Sequence, residues 1–167
     1  MTILGDKIKT AAQIQSSIRR IAYQIYENNF EEKEIVIVGI ASRGSDLAYA
    51  LRKALESFSN LKITYGELRM NKDNPRNTLE CDLSVSQLEN QSIVIVDDVL
   101  NTGSTLIYAV QYFLTISVKQ IKTAVMVNRN HKKFPIKADF KGISLSTSTN
   151  EHVTVILEGE EGGVFLR

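Results

Sequence analysis

Two stretches limit what this chain can fold into more than anything else in it. Glu34–Ile40 reads EIVIVGI and Ser92–Asp97 reads SIVIVD. Neither alternates apolar with polar residues, so neither suits a strand with one wet face. Short β-branched runs of this kind form strands buried on both sides, as in a parallel sheet covered by helices. Leu61–Arg69 and Ile121–Val127 read as further strands.

Parallel neighbours need crossovers, and the intervening segments carry helical periods. Ile14, Ile18, Ile21 and Ile25 follow one another at steps of four, three and four. Thr10 and Gln13 have the spacing of a capping box ahead of them, and Asn28-Asn29 end the pattern. A turn at Ser42-Arg43-Gly44 leads into a second helix marked by Leu47, Leu51, Ala54, Leu55 and Phe58. A third helix is expected over Gly103–Ser117, with Leu106, Val110, Phe113 and Leu114 inward. Met70–Leu83 is polar, lacks a period and contains a proline, which predicts a long mobile loop. Past Arg129 no helix is evident, only short strands at Ile143–Leu145 and Val153–Leu157. The alternation predicts an α/β fold with a central, mainly parallel sheet flanked by helices and joined by right-handed crossovers.

At 167 residues, 43% hydrophobic and 23% charged, the chain fits a single globular domain over residues 1–167. A formal net charge of +1 advertises no polyanion partner at the level of the whole molecule. Cys81 stands alone, without Cys or His at metal-ligand spacing, and suits a reducing compartment. Met1–Thr10 lacks the apolar core of a signal peptide, and the apolar runs are too short to cross a bilayer. A cytoplasmic location, with no membrane partner, is the expectation.

Ligands of such sheets sit beyond the carboxyl ends of the strands, so the residues after Ile40 and Val96 matter most. Ile93–Leu106 reads IVIVDDVLNTGSTL. A buried strand runs into Asp97 and Asp98, and a turn of Asn101, Thr102, Gly103, Ser104 and Thr105 opens a helix. Gly103 lets the backbone approach a ligand, and hydroxyls cluster beside the unpaired N–H groups of a helix start. These are the parts of a phosphate site. The two carboxylates would repel a phosphate, so a ribose diol or a hydrated Mg²⁺ is their natural partner. Neither a Walker A loop nor Gly-x-Gly-x-x-Gly is present. Taken singly, Thr102, Ser104 and Thr105 could be helix caps and the acids a solvated strand end. As a continuous run they match the motif with which type I phosphoribosyltransferases bind 5-phosphoribosyl-1-pyrophosphate (PRPP).

Beyond that motif the chain resembles the PyrR family, pyrimidine-operon attenuation regulators that also show uracil phosphoribosyltransferase activity. The resemblance is carried by Arg20–Ile25 (RIAYQI), Val38–Ala48 (VGIASRGSDLA), Val96–Thr105 and Arg129–Asp139 (RNHKKFPIKAD). It implies the type I phosphoribosyltransferase fold with a small hood. It implies that Ala41–Gly44 forms the pyrophosphate loop, with Ser42 and Gly44 close to the ligand and Arg43 supplying charge. A cis bond of the kind known in this loop would join Ser42 to Arg43. Asp97 and Asp98 would hold the ribose hydroxyls, partly through Mg²⁺, while Asn101 and Thr102–Thr105 take the 5-phosphate region. Arg69, Lys72 and Arg76 would be pyrophosphate contacts on a closing loop. Phe140 would stack on the base, and the Lys141 backbone would read its edge. Arg43, Asp97 and Asp98 are the catalytic candidates, uracil and PRPP the substrates, and UMP the product or effector.

Purine enzymes of the hypoxanthine–guanine type usually carry Asp where this chain has Asn101, which favours uracil over a purine. His131 and His152 have no partner nearby in sequence and read as structural. PyrR proteins bind an mRNA leader, and Arg19, Arg20, Lys132, Lys133, Lys137 and Lys141 are the candidate contacts here. Three alternatives stand beside the uracil reading: an RNA-binding pyrimidine sensor with little catalysis, a purine or xanthine phosphoribosyltransferase, and a receiver-like phosphotransfer domain. The last expects its acid pair near the N-terminus, not at Asp97-Asp98 before a Thr-Gly turn. Family analogy suggests a homodimer or larger homo-oligomer.

Overall fold

The structure, a computed structural model, describes residues 4–167. Strand β1 (Asp6–Thr10) leads directly into helix α1 (Ala11–Asn28). Thr10 closes the capping box: its Oγ1 accepts from the Gln13 amide and its own amide donates to Gln13 Oε1. The isoleucine stripe of α1 is buried against the sheet. Asn29 caps the helix end from a buried position. It donates to the Ile25 carbonyl at 2.8 Å and accepts from Ser92 Oγ at 2.6 Å.

β2 (Glu34–Ile40), α2 (Arg43–Phe58), β3 (Lys62–Arg69), β4 (Glu80–Cys81), the short α3 (Val85–Leu88), β5 (Ser92–Leu100), α4 (Ser104–Leu114), β6 (Gln120–Arg129) and β7 (Phe140–Leu145) follow. They build a six-stranded sheet in the order β4-β3-β2-β5-β6-β7, parallel except for β4. β8 (Val153–Ile156) and β9 (Gly163–Leu166) join β1 in a separate three-stranded antiparallel sheet, the expected hood. β2 and the first part of β5 are buried on both faces, as their unalternating sequences require. One core cluster packs α1 and α2 on one face, and a second packs α4 on the other.

Several expectations are corrected. The segment Met70–Leu83 is not all loop: β4 pairs Cys81 with Leu68 and Glu80 with Arg69. The third helix stops at Leu114, and Leu114 is exposed instead of inward. Leu106, Ala109 and Phe113 form the buried stripe, and Leu114 lies about 100° around the helix from Phe113. The cis bond joins Ala41 to Ser42, one residue before the expected position. β1 and β9 were not foreseen. β1 is charged and largely exposed, and its partner lies at the other end of the chain. No described helix is long and apolar enough to cross a membrane.

Candidate functional site

β2 and β5 are adjacent parallel strands, so α2 and α4 both begin at the same edge of the sheet. Neither N-cap residue, Ser42 or Gly103, caps its helix with a side chain, and at α4 the Ser104 amide donates to Thr102 Oγ1 at 3.3 Å. Each therefore leaves unpaired N–H groups and the positive end of its dipole facing that edge. Gly103 makes the α4 entry possible with φ of 89°, in the left-handed region. A Cβ there would also collide with Ile136 Cγ2. The Thr102 carbonyl accepts from the amides of Lys133 and Phe134 at 2.8 and 3.2 Å, which pins the turn from behind.

A cavity of about 300 Å³ opens at this edge. Its wall includes Arg43, Lys72, Asp97, Asp98 and the whole run Asn101–Thr105. A second cavity, lined by Asp46, Tyr49 and residues 155–158, shares Arg43 and Asp98 with the first. Arg43 thus stands at a junction between two hollows. Gly44 does not line the cavity. It is buried beneath the cavity, and a Cβ on it would lie 2.5 Å from the Val96 carbonyl oxygen and 3.0 Å from Asp97 Cα. Its small size lets α2 seat against β5. Ser42 is exposed at the N-cap of α2 and is absent from the cavity wall.

Asp97 and Asp98 are 3% and 8% exposed. Asp97 Oδ1 accepts from Lys72 Nζ at 3.1 Å and from the Asp98 amide at 2.9 Å. Asp98 Oδ1 accepts from the Val99 amide. Burial pushes the Asp97 carboxyl up to about 7; the Lys72 ammonium opposes that rise and the Asp98 carboxylate adds to it. Among the described residues no three or more His, Cys, Asp or Glu side chains gather as a metal cluster. Two adjacent carboxylates nevertheless suit Mg²⁺, which commonly binds through one or two carboxylates, water and substrate phosphates. The pair fits a metal that arrives with its ligand.

The other expected residues are scattered. Lys72 reaches the site, but Arg69 is exposed beside Glu67 and Arg76 is exposed on its loop. Phe140 packs in the core with α1 and α2 residues, and Lys141 is exposed next to it; neither lines the cavity. Arg20 donates to the carbonyls of Lys141 and Gly142 at 3.0 and 2.9 Å, tying α1 to β7. Arg19 lies over the Tyr23 ring, and Lys137 stands 3.8 Å from Asp139. Lys132 and Lys133 are exposed. His131 shares a hydrogen bond with Thr147 Oγ1 at 3.1 Å.

Sequence reasoning missed two contributions. His152 and Val153 line the cavity from the hood, some fifty residues beyond the motif. The chain around them offers no local pattern that could have marked them. Arg129 is buried and donates to Asn101 Oδ1 at 3.0 Å. It stood in sequence as part of a basic segment, and only packing brings it behind the turn.

Comparison with known proteins agrees with this geometry. The phosphoribosyl transferase domain model matches residues 5–157. A "Bifunctional protein PyrR" of Pediococcus pentosaceus is 33% identical over 92% of this chain and 93% of that protein. A "Pyrimidine operon regulatory protein" of Lactococcus lactis is 32% identical over 89% of this chain and 88% of that one. Among solved structures, the hypoxanthine phosphoribosyltransferase of Trypanosoma cruzi superposes with a TM-score of 0.81 at 19% identity, covering 98% of this chain and 97% of the other. That likeness speaks for the fold. With the motif, the topology and these relatives together, the chain belongs to the phosphoribosyl transferase domain family and, within it, to the PyrR proteins.

Proposed function

We propose that this chain transfers the phosphoribosyl group of PRPP to uracil, giving UMP and pyrophosphate. One observation carries the reading. Two helix starts without an N-cap side-chain bond open at one sheet edge, with a buried acid pair in the last part of β5 beside them. That arrangement suits a ligand with phosphate at both ends and a hydroxyl-bearing sugar between. The 5-phosphate would take the Thr102–Thr105 turn, and the pyrophosphate would take the Ala41–Gly44 side with Arg43. Asp97 and Asp98 would face the ribose hydroxyls and a Mg²⁺ carried in with PRPP. When bound, that ion would offset charge on the departing pyrophosphate.

In the reaction the bond from ribose C1 to pyrophosphate breaks and its electron pair leaves with the pyrophosphate. Cationic character develops on the sugar, and the lone pair of a base nitrogen closes on C1 while the proton of that nitrogen passes to the departing pyrophosphate. Arg43 stabilises the leaving group, and the acid pair sits beside the developing positive charge. The loop bearing Lys72 would close over the bound ligand and exclude water. Asn101 in place of an acid supports uracil over a purine.

A product assay with PRPP, Mg²⁺ and each of uracil, hypoxanthine, guanine, xanthine and orotate tests this. UMP from uracil alone supports it; IMP, GMP or XMP formation, or no product from any base, overturns it.

A second reading, an RNA-binding regulator, draws support from the names of the relatives and from one groove. Lys9 and Arg20 share a hollow of about 400 Å³ with Gln13, Ser16 and Ser17. Burial and then the Arg20 charge hold Lys9 below the usual lysine range. Binding to a structured mRNA leader that weakens steeply with salt would favour this reading. A homodimer or larger homo-oligomer is part of the same proposal and is read by light scattering.

A further inference from the structure

Arg129, the last residue of β6, is 8% exposed, and its guanidinium makes four hydrogen bonds. Nε donates to Thr147 Oγ1 at 2.9 Å and Nη1 to Asn101 Oδ1 at 3.0 Å. Nη2 donates to the carbonyls of Ser148 and Glu151 at 3.1 and 2.8 Å. All four acceptors are neutral, and Arg129 has no ion pair among the described residues. A buried cation without a carboxylate partner is costly to keep and leaves its field unspent.

One acceptor, Asn101, lines the cavity, and the other three lie in the segment that leads into His152 and Val153 of its lining. Asn101 begins the hydroxyl-rich turn before α4. Residues 147–151 lead into His152 and Val153, the part of the lining that the hood contributes. A single planar fork therefore sets the distance between the turn and the hood. Lysine could not do this, because its point charge has no fixed fan of donors.

We propose that Arg129 is the positioning residue of this site: resting on the phosphoribosyl reading of the cavity, it holds Asn101 and the Thr102–Thr105 turn against the hood and supplies positive charge behind the phosphate. It touches no substrate and acts through Asn101. Because Arg129 is buried, it is not one of the cations available to RNA.

The test compares Arg129→Lys, Thr147→Val and Asn101→Ala, singly and with Arg129→Lys combined with Asn101→Ala. Amide hydrogen exchange at Lys133 and Phe134, whose N–H groups donate to the Thr102 carbonyl and so report on the turn, is read on the ligand-free protein and needs no activity. Faster exchange at Lys133 and Phe134 in Arg129→Lys, with slower-exchanging β2 amides unchanged, supports positioning; unchanged exchange at both overturns it. In PRPP titrations Arg129→Lys is expected to weaken binding about tenfold or more. The double variant is expected to be little worse than Asn101→Ala alone, whereas losses that multiply show that Arg129 does not act through Asn101. Thr147→Val cuts only the hood end of the fork and is expected to weaken PRPP binding by a smaller factor; no change there also counts against the clamp. If the native protein itself fails to bind PRPP, the phosphoribosyl reading falls, while the exchange result still judges the clamp.

Discussion

Lys72 Nζ stands 3.1 Å from Asp97 Oδ1, so the loop after β3 lays its own cation on the carboxylate at the end of β5. Asp97 is nearly enclosed and Lys72 is about a third exposed on its side chain. The pair closes the site with a partner that a ligand and its metal would have to displace.

Asp97 gives a pH dependence of stability with a definite sign. Its carboxyl is raised from 3.8 to about 7 in the folded chain. Between those values the folded state holds a proton that the unfolded state has lost. The protonated group therefore contributes stability that is fully present below about pH 4 and is lost as pH rises through about 7. The ligand-free protein should lose about 5 °C in Tm between pH 5 and 7.5. Asp97→Asn should flatten that slope. Thermal scans across this range check both, and a slope that survives the substitution removes Asp97 as its source.

Lys72→Met should move the acid limb of PRPP binding to higher pH. Removing the ammonium takes away the charge that opposes protonation of Asp97, so the carboxyl rises further. The half-maximal pH in a titration series with Mg²⁺ and PRPP reports the shift. A limb that stays in place would mean that Lys72 does not govern Asp97 in solution.

Asp98→Asn should lower phosphoribosyl transfer by at least about a hundredfold while leaving the fold intact. The amide oxygen can keep the bond now made to the Val99 amide, so little structural loss is expected. Steady-state rates alongside circular dichroism decide it. Retained activity would take Asp98 out of the ribose and metal role.

Phe140→Ala should cost about 3–5 kcal/mol of stability, the loss usual for a buried aromatic. The ring is 9% exposed and belongs to the core cluster under α1 and α2. Denaturant melts measure this, and relative rates with uracil and purines measure any change in base choice. A stable variant with altered base preference would support the base-stacking role of Phe140.

The central sheet and the phosphate turn were legible because their signals are local. Glu34–Ile40 and Ser92–Asp97 announce two-sided burial in their own composition, and Thr10-Ala11-Ala12-Gln13 announces a helix start. The run from Asp97 to Thr105 keeps its acids, glycine and hydroxyls within nine positions, so one strand end and one helix start place them together. Pairings that span the chain were not legible. Strand β1 reads as a charged leader until Asp6–Thr10 meets Gly163–Leu166, and His152 reads as an ordinary strand-edge residue until the hood brings it to the cavity. Burial likewise belongs to the tertiary structure: it raises Asp97, encloses Arg129 behind Asn101 and sets Phe140 in the core. Residue identity determines which groups can bond or ionise. How far each is withdrawn from water, and which partner from a distant strand it meets there, follows only once the sheet has closed over it.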